Sequence, residues 1–411
     1  MRKMPTLLAP AGSMRPFLTA LRFGADAVYC GAKQFGLRAQ AQNFDENQLA
    51  QCVRLAHEKG VQVNLTLNIF AFDQDLDGMV CAAKAAKETG VDAVIVSDLG
   101  AIHRIAREVP GLDIHVSTQA NTTNSESARV YKALGALRIV LARELTFEQI
   151  EQMARELGDE IELETFIHGA ICMSHSGRCM LSSFMNGRSA NRGACSQPCR
   201  WTYTLHERTR MDEPLPIEED ARGTAILSSR DMCMMDHLPR LMESGVSCFK
   251  IEGRMKTEIY IATVVGAYRR AMDAYAADPK AYAGNAALKG QLRAELDKVS
   301  HRVYDTGFYF GMPKVCGEAV GVVQDAEYMG YVVDVSGGDA LVEMKNRFFV
   351  GDELETVTPM GSEKLIVEDI VLDATGEHVG VVNIPNTLVR IPCGGKLNTG
   401  DMLRGPVRNR A

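Results

Sequence analysis

The chain has 411 residues, 46% of them hydrophobic and 24% charged, a balance that excludes a disordered protein. Its length exceeds one compact core of ordinary size, so two domains, or a large barrel with an appendage, are expected. The net charge is −7, from 45 basic and 52 acidic side chains, and there is no run of about 18 apolar residues that would cross a membrane. The opening MRKMPTLLAPAG is short in apolar residues and carries Pro5 and Pro10, which argues against an export signal and predicts a cytoplasmic protein with no membrane partner.

Short apolar runs then alternate with amphipathic stretches of helical length. TLLAPAG (6–12) precedes a helix over 13–24 with Ser13 as N-cap, and ADAVYCGA (25–32) precedes one opening at Asp45. QVNLTLNIF (62–70), DAVIVSD (92–98), DIHVSTQA (113–120) and LRIVLAREL (137–145) each lead to a helix, the last capped by Thr146. EIELETFIHG (160–169) is the seventh strand. Its helix is expected near 235–244, after an interruption at 170–222 whose second half, with Pro214 and Pro216, reads as an exposed loop. SCFKIEGR (247–254) is the eighth strand, and a helix runs on to about Tyr275.

Eight β-then-α units predict an α/β fold, a (β/α)8 TIM-like barrel over 1–280, with the Cys-rich insertion 170–222 after strand 7. A helical linker over 281–315 and a small all-β barrel domain over 316–411 complete the chain, the latter predicted from short β-rich pieces separated by Gly-rich turns. An open doubly wound sheet is the alternative, and strand parity decides against it. Val63, Leu65 and Leu67 oppose Gln62, Asn64, Thr66 and Asn68, and His115, Ser117 and Gln119 share one face, as do Cys248, Lys250 and Glu252. An apolar face packing on helices leaves the polar face turned to a shared interior. Asn68, Gln119, Arg143, His168, Glu252 and Arg254 fall at C-terminal strand ends, where barrel enzymes keep their sites.

Eleven cysteines in a chain of this size point to metal or redox chemistry rather than to a disulfide scaffold. Cys172, Cys179, Cys195 and Cys199 fall in one loop just beyond strand 7. Four thiolates there suit zinc or an iron–sulfur cluster, and the six residues between Cys172 and Cys179 fit the wider sulfur spacing of a cluster better than structural zinc. A second reading makes Cys172 or Cys179 a nucleophile with His168 or His175 as base, but leaves the other cysteines unexplained. Between Glu164 and Glu207 there is no acidic residue, whereas Arg178, Arg188, Arg192 and Arg200 lie there, with Trp201 and Tyr203 beside them. Basic residues next to aromatics are the footprint of phosphates and a stacked base; equally, they offset the charge of a thiolate-ligated cluster.

ETFIHGAICMSHSGRCMLSS resembles the signature of the collagenase-like peptidase U32 family, and LLAPAG, GADAVYCGAK, GACSQPCRW and FKIEGR are similar to further blocks of it. The likeness runs from Leu7 into the β-rich tail. GACSQPCRW together with MKNRFFVGD most resembles the branch that hydroxylates transfer RNA. That resemblance implies prephenate-dependent, oxygen-independent conversion of wobble uridine to 5-hydroxyuridine, with a 4Fe–4S cluster on Cys172, Cys179, Cys195 and Cys199. Cys233 competes with Cys199 as the fourth ligand, because the quinone branch takes its own from further downstream. The implied partners are transfer RNA and a small dicarboxylate. Arg143, Arg254 and Lys250 are expected to grip that dicarboxylate, Glu252 and His168 to carry protons, and Arg178, Arg200 and Trp201 to meet the RNA. The family's peptidase label keeps a hydrolase as the alternative, and other branches act on ribosomal RNA or a quinone precursor. A binding-only barrel, with a partner doing the chemistry, is the remaining class.

Overall fold

The structure, a computed structural model, describes residues 4–38, 41–201, 206–207, 210–214, 229–313 and 323–408. Seven strands lead it: β1 (Thr6–Pro10), β2 (Ala27–Gly31), β3 (Gln62–Leu67), β4 (Ala93–Val96), β5 (Asp113–Val116), β6 (Arg138–Val140) and β7 (Glu162–Ala170). A hairpin, β8 (His206–Glu207) with β9 (Arg210–Pro214), and the short β10 (Asp231–Cys233) precede the eighth barrel strand, β11 (Cys248–Ile251). Each barrel strand pairs in parallel with the next, and β11 pairs with both β7 and β1, which closes the ring. The TIM-like fold class follows.

Helices α1 (Met14–Arg22), α2 (Glu46–His57), α3 (Asp73–Thr89), α4 (Leu99–Glu108), α5 (Ser125–Ala133) and α6 (Phe147–Leu157) surround the strands. Asp45 and Thr146 head α2 and α6 in capping boxes with Gln48 and Gln149. Ser13 takes the N-cap position of α1, but its hydroxyl caps no backbone amide. A short α7 (Leu181–Asn186) lies within the Cys-rich insertion, and α8 (Leu238–Glu243) and α9 (Glu258–Ala277) finish the barrel. Most of the predicted loop over 207–222 lies outside the described residues, as do Tyr203 and Cys316.

Parity sorts the strands as expected. Val63, Leu65, Leu67, Leu163 and Ile167 join the inward faces of the helices in one core. Asn64, Thr66, His115, Arg138, Glu164 and Lys250 are buried inside the ring, beside an apolar layer of Leu8, Ala27, Tyr29, Ile95 and Cys248. One irregularity matters for the site. Lys250 pairs with Phe166, but Ile251 pairs with His168, so Ile167 is an extra residue on β7. Such a bulge reverses the inside–outside alternation beyond it.

The predicted linker contains α10 (Pro279–Gly284) and α11 (Ala286–Asp297), followed by the two-residue β12 (Tyr304–Asp305), which pairs with β10. The C-terminal domain is a seven-stranded antiparallel sheet over its own core, which includes Met329, Val342, Phe348 and Ile391. Its first described strand, Ala326–Ser336, pairs with Asp339–Met344 on one side and Met402–Pro406 on the other. The strand Leu388–Pro392 was not predicted; its final proline and the turn before it mask a five-residue alternation. The domain is joined to the barrel by buried charge. Arg404 donates to Glu295 of α11 at 2.7 Å and to Glu355 at 2.8 Å, and Arg22 of α1 meets the fully buried Asp401 at 2.6 Å.

Candidate active site

The C-terminal strand ends open into a cavity of about 60 Å³, and Asn68, Gln119, Arg143, Lys250, Glu252 and Arg254 all line it. Thr66 and Ser117 of the predicted polar face line it as well, as do Tyr29, Arg38 and Phe166, which sequence reasoning did not single out. Arg38 carried a usable signal, since it lies in the loop leaving β2 at the same end of the barrel.

Charge in the cavity is unevenly compensated. Glu252 accepts from Arg38 at 3.2 Å and lies 3.7 Å from Arg143. Burial pushes its carboxyl up, but Arg38, Arg143 and Arg254 outweigh burial and hold it below the usual carboxylate range. The Tyr29 hydroxyl is 3.5 Å from Glu252 Oε2 and donates to the Ile251 carbonyl at 3.0 Å. Lys250 is paired at 2.7 Å with the fully buried Glu164, whose other oxygen meets Arg138 at 3.3 Å. Arg254 instead rests on neutral oxygens, Asn43 Oδ1 at 2.6 Å and Thr66 Oγ1 at 3.0 Å. The buried Nε atoms of Arg143 and Arg254 have no partner among the described residues. Arg143 also donates to the Ala170 carbonyl and lies 3.9 Å above the Phe166 ring. The cavity therefore holds more guanidinium charge than carboxylate, which suits an anionic ligand.

Two glycines make this arrangement possible. A Cβ on Gly31 would stand 1.9 Å from Arg254 Nη2, so only glycine lets the guanidinium lie against β2. Gly169 has φ +107°, and a Cβ there would come 2.4 Å from the Glu252 carbonyl.

The Cys-rich loop roofs this end of the barrel, moored to three βα connections. The Arg192 guanidinium donates to Asp75 of α3 and to the Phe70 carbonyl, and Phe70 donates to the Asn191 carbonyl. Arg178 donates to the Gln119 carbonyl at 2.6 Å, and the Ser176 hydroxyl donates to Glu144 at 2.7 Å. Within the loop, Asn191 accepts from the Cys179 amide, and Ser182 and Ser196 join through their hydroxyls.

The four cysteines of the loop stand close enough to feel one another. Burial pushes the Cys199 thiol up, and Cys172, Cys195 and Cys179 push it further, partly offset by Arg200. Backbone amides of Leu181 and Gln197 donate to the sulfurs of Cys179 and Cys195, an interaction that suits thiolates. All ten described cysteines are free thiols. Among the described residues no three His, Cys, Asp or Glu groups are preassembled around a metal-ion position. The donor set itself, four thiols of one loop with amides aimed at two of the sulfurs, fits a sulfur-ligated centre. Cys233 stands elsewhere: it is buried on β10, where Arg293 donates to its sulfur at 3.2 Å.

His168 does not reach the cavity. The bulge at Ile167 turns it outward, among Tyr260, Tyr268 and Tyr304, and Tyr304 lies 3.4 Å from its Nε2. Burial lowers its pKa to about 3, which keeps the ring neutral, and the structure does not place it where a proton carrier of this cavity is expected. Arg178, Arg200 and Trp201 lie outside the cavity and are exposed on the roofing loop.

The family model for peptidase family U32 matches residues 12–318, and that for the family's C-terminal domain matches 324–404. The chain belongs to peptidase family U32. Curated relatives span this U32 chain almost end to end. It is 35% identical over 408 residues to "tRNA hydroxylation protein P1" of Bacillus subtilis (strain 168), covering 98% of this chain and 95% of that protein. It is 32% identical to "tRNA hydroxylation protein P" of Escherichia coli (strain K12), covering 92% and 91%. It is also 32% identical to "23S rRNA 5-hydroxycytidine C2501 synthase" of the same bacterium, covering 87% of this chain and 55% of that protein.

Proposed function

We propose that this U32 protein is an RNA-hydroxylating enzyme, acting on wobble uridine of transfer RNA to give 5-hydroxyuridine, with prephenate as co-substrate and without molecular oxygen. The relatives' names support the RNA hydroxylation. The observation that carries the reading is the join of two parts: an arginine-rich cavity at the barrel mouth, and a four-cysteine loop laid over it and moored through Arg178 to Gln119 of the cavity wall. A small dicarboxylate matches the excess of guanidinium over carboxylate made by Arg38, Arg143 and Arg254 beside Glu252, with Lys250 held by Glu164.

Cys172, Cys179, Cys195 and Cys199 would hold a 4Fe–4S cluster, with zinc the alternative, and such a cluster supplies one-electron chemistry. The chain's own residues do the rest. Glu252, kept ionised by Arg38, Arg143 and Arg254, is the carboxylate in the cavity that can accept a proton from a bound substrate. Phe166, buttressed by Arg143, walls the cavity and excludes water. The protein is taken to work in the cytoplasm, and no helix of the described residues is long and apolar enough to cross a membrane. The deciding experiment is the nucleoside profile of bulk transfer RNA from a deletion strain. Loss of 5-hydroxyuridine and its derivatives is expected, and an unchanged profile rejects the proposal.

A further inference from the structure

The roofing loop carries an exposed surface that neither the cavity nor the thiols explain. Its centre is α7, where Phe184 is 80% exposed, more than any other aromatic side chain of the described residues. Met180 and Met185 flank it and are also exposed. Helix α7 packs against the turn Pro198–Arg200, and Trp201, 40% exposed, follows that turn directly. Phe184, Met180, Met185 and Trp201 together leave an exposed apolar patch on this loop, and a patch of that kind marks an interaction surface.

Charge selects the occupant. Residues 165–206 contain no acid in a chain whose net charge is −7. Two of the four arginines there hold the loop down, Arg192 on Asp75 and Arg178 on Gln119. The guanidinium groups of Arg188 and Arg200 form no hydrogen bond or ion pair with described residues, and both side chains are exposed. A flat exposed ring beside guanidinium groups that no carboxylate of the described residues pairs with suits an unpaired polynucleotide: a face for a base and cations for its phosphates. An acidic remainder of the molecule repels the same polyanion, and so directs it to this face.

We infer that α7, with Phe184 at its crest and Arg188 at its C-terminal side, is the platform on which an unpaired nucleotide flanking the target base stacks. The inference rests on the RNA reading above and extends it by assigning the recognition surface. It implies that the substrate is read as a single-stranded loop and not as a duplex, because a stacking platform needs a base already out of the helix.

The test uses the full-length protein, purified anaerobically, and a fluorescent transfer-RNA anticodon stem-loop, with affinity followed by anisotropy. Phe184→Ala is expected to weaken binding about tenfold, while Phe184→Trp retains it. Arg188→Gln is expected to lower the slope of log affinity against log salt by about one. Phe184 is exposed, so the alanine variant folds, and equal iron content in variant and parent checks this. A photo-crosslinking residue at position 184 is expected to capture the RNA. Crosslinks into this chain or to a protein instead would overturn the inference, as would parent-like RNA binding by Phe184→Ala. If the parent itself binds no RNA, the inference falls together with the RNA reading; if the parent binds and Phe184→Ala does too, only the inference falls.

Discussion

Glu164 offers the sharpest test of how the barrel interior supports the site. Its carboxylate is fully buried, 2.7 Å from Lys250 Nζ and 3.3 Å from Arg138, with His115 in the same layer. Burial raises its pKa, but Lys250, Arg138 and His115 more than reverse this, bringing it from 4.5 to about 2. That gap corresponds to about 3 kcal/mol of folding stability. Mutation gives a second estimate of the same size, since removing one partner of a buried ion pair costs about 3–5 kcal/mol. The sign follows from proton counting. Below 4.5 the unfolded carboxyl takes up a proton that the folded one refuses until about 2, so stability is complete above 4.5 and drains away as pH falls towards 2. His115, lowered by burial to about 3, adds a loss that begins below 6.5, because only its unfolded form protonates there. Glu164→Gln is therefore expected to unfold about 3 kcal/mol more easily in urea at pH 7. Its stability should also vary less than the parent's between pH 4.5 and pH 3, while the loss below 6.5 persists. Equal unfolding midpoints and slopes at pH 7 would refute the reasoning, as would pH profiles that superimpose.

Four further outcomes follow from the geometry. Cys199→Ser is expected to abolish iron and acid-labile sulfide in anaerobically purified protein, whereas Cys233→Ser keeps both; stoichiometric zinc in a colourless parent sample would exclude the cluster. Gly31→Ala would drive its methyl into Arg254 and push the guanidinium off Asn43 and Thr66. It should lower 5-hydroxyuridine formation on the order of a hundredfold, measured by nucleoside mass spectrometry. His168→Phe, inside its cage of tyrosines, should leave the nucleoside profile of a complemented strain unchanged, and loss of product there would restore the histidine to the mechanism. Arg404→Met deprives the buried Glu295 of its guanidinium partner, and calorimetry should show a loss of about 3 kcal/mol and a separate transition for the C-terminal sheet.

Much of this was legible in residue order. The alternation in 62–68 predicted an interior of polar side chains, and the ring of Asn64, Thr66, His115, Glu164 and Lys250 is that interior. Strand ends located the cavity, because βα connections all leave a barrel on the same side. The outward placement of His168 has a cause that parity cannot contain. A bulge adds one residue to one strand, and only pairing with β11 shows that Ile167 is the extra one. Arg38 was missed because it belongs to no strand and no motif. It reaches the cavity only through the fold of the loop after β2, where Asn43 and Gly12 hydrogen-bond.

The net charge of the chain is a poor guide to its site, and the structure explains why. Carboxylates are placed where they hold cations in position: Asp75 under Arg192, Glu252 beside Arg38 and Arg143, Glu164 beneath Lys250. Each such pair uses a negative charge to fix a positive one, and so adds to the acid count without making the mouth acidic. Left over among the described residues are Arg254 within the cavity, tied only to neutral oxygens, and Arg188 on its roof, whose guanidinium no carboxylate holds. A ligand experiences those remainders rather than the sum. An anionic co-substrate inside and a polyanion across the roof are consequently compatible with a chain whose net charge is −7.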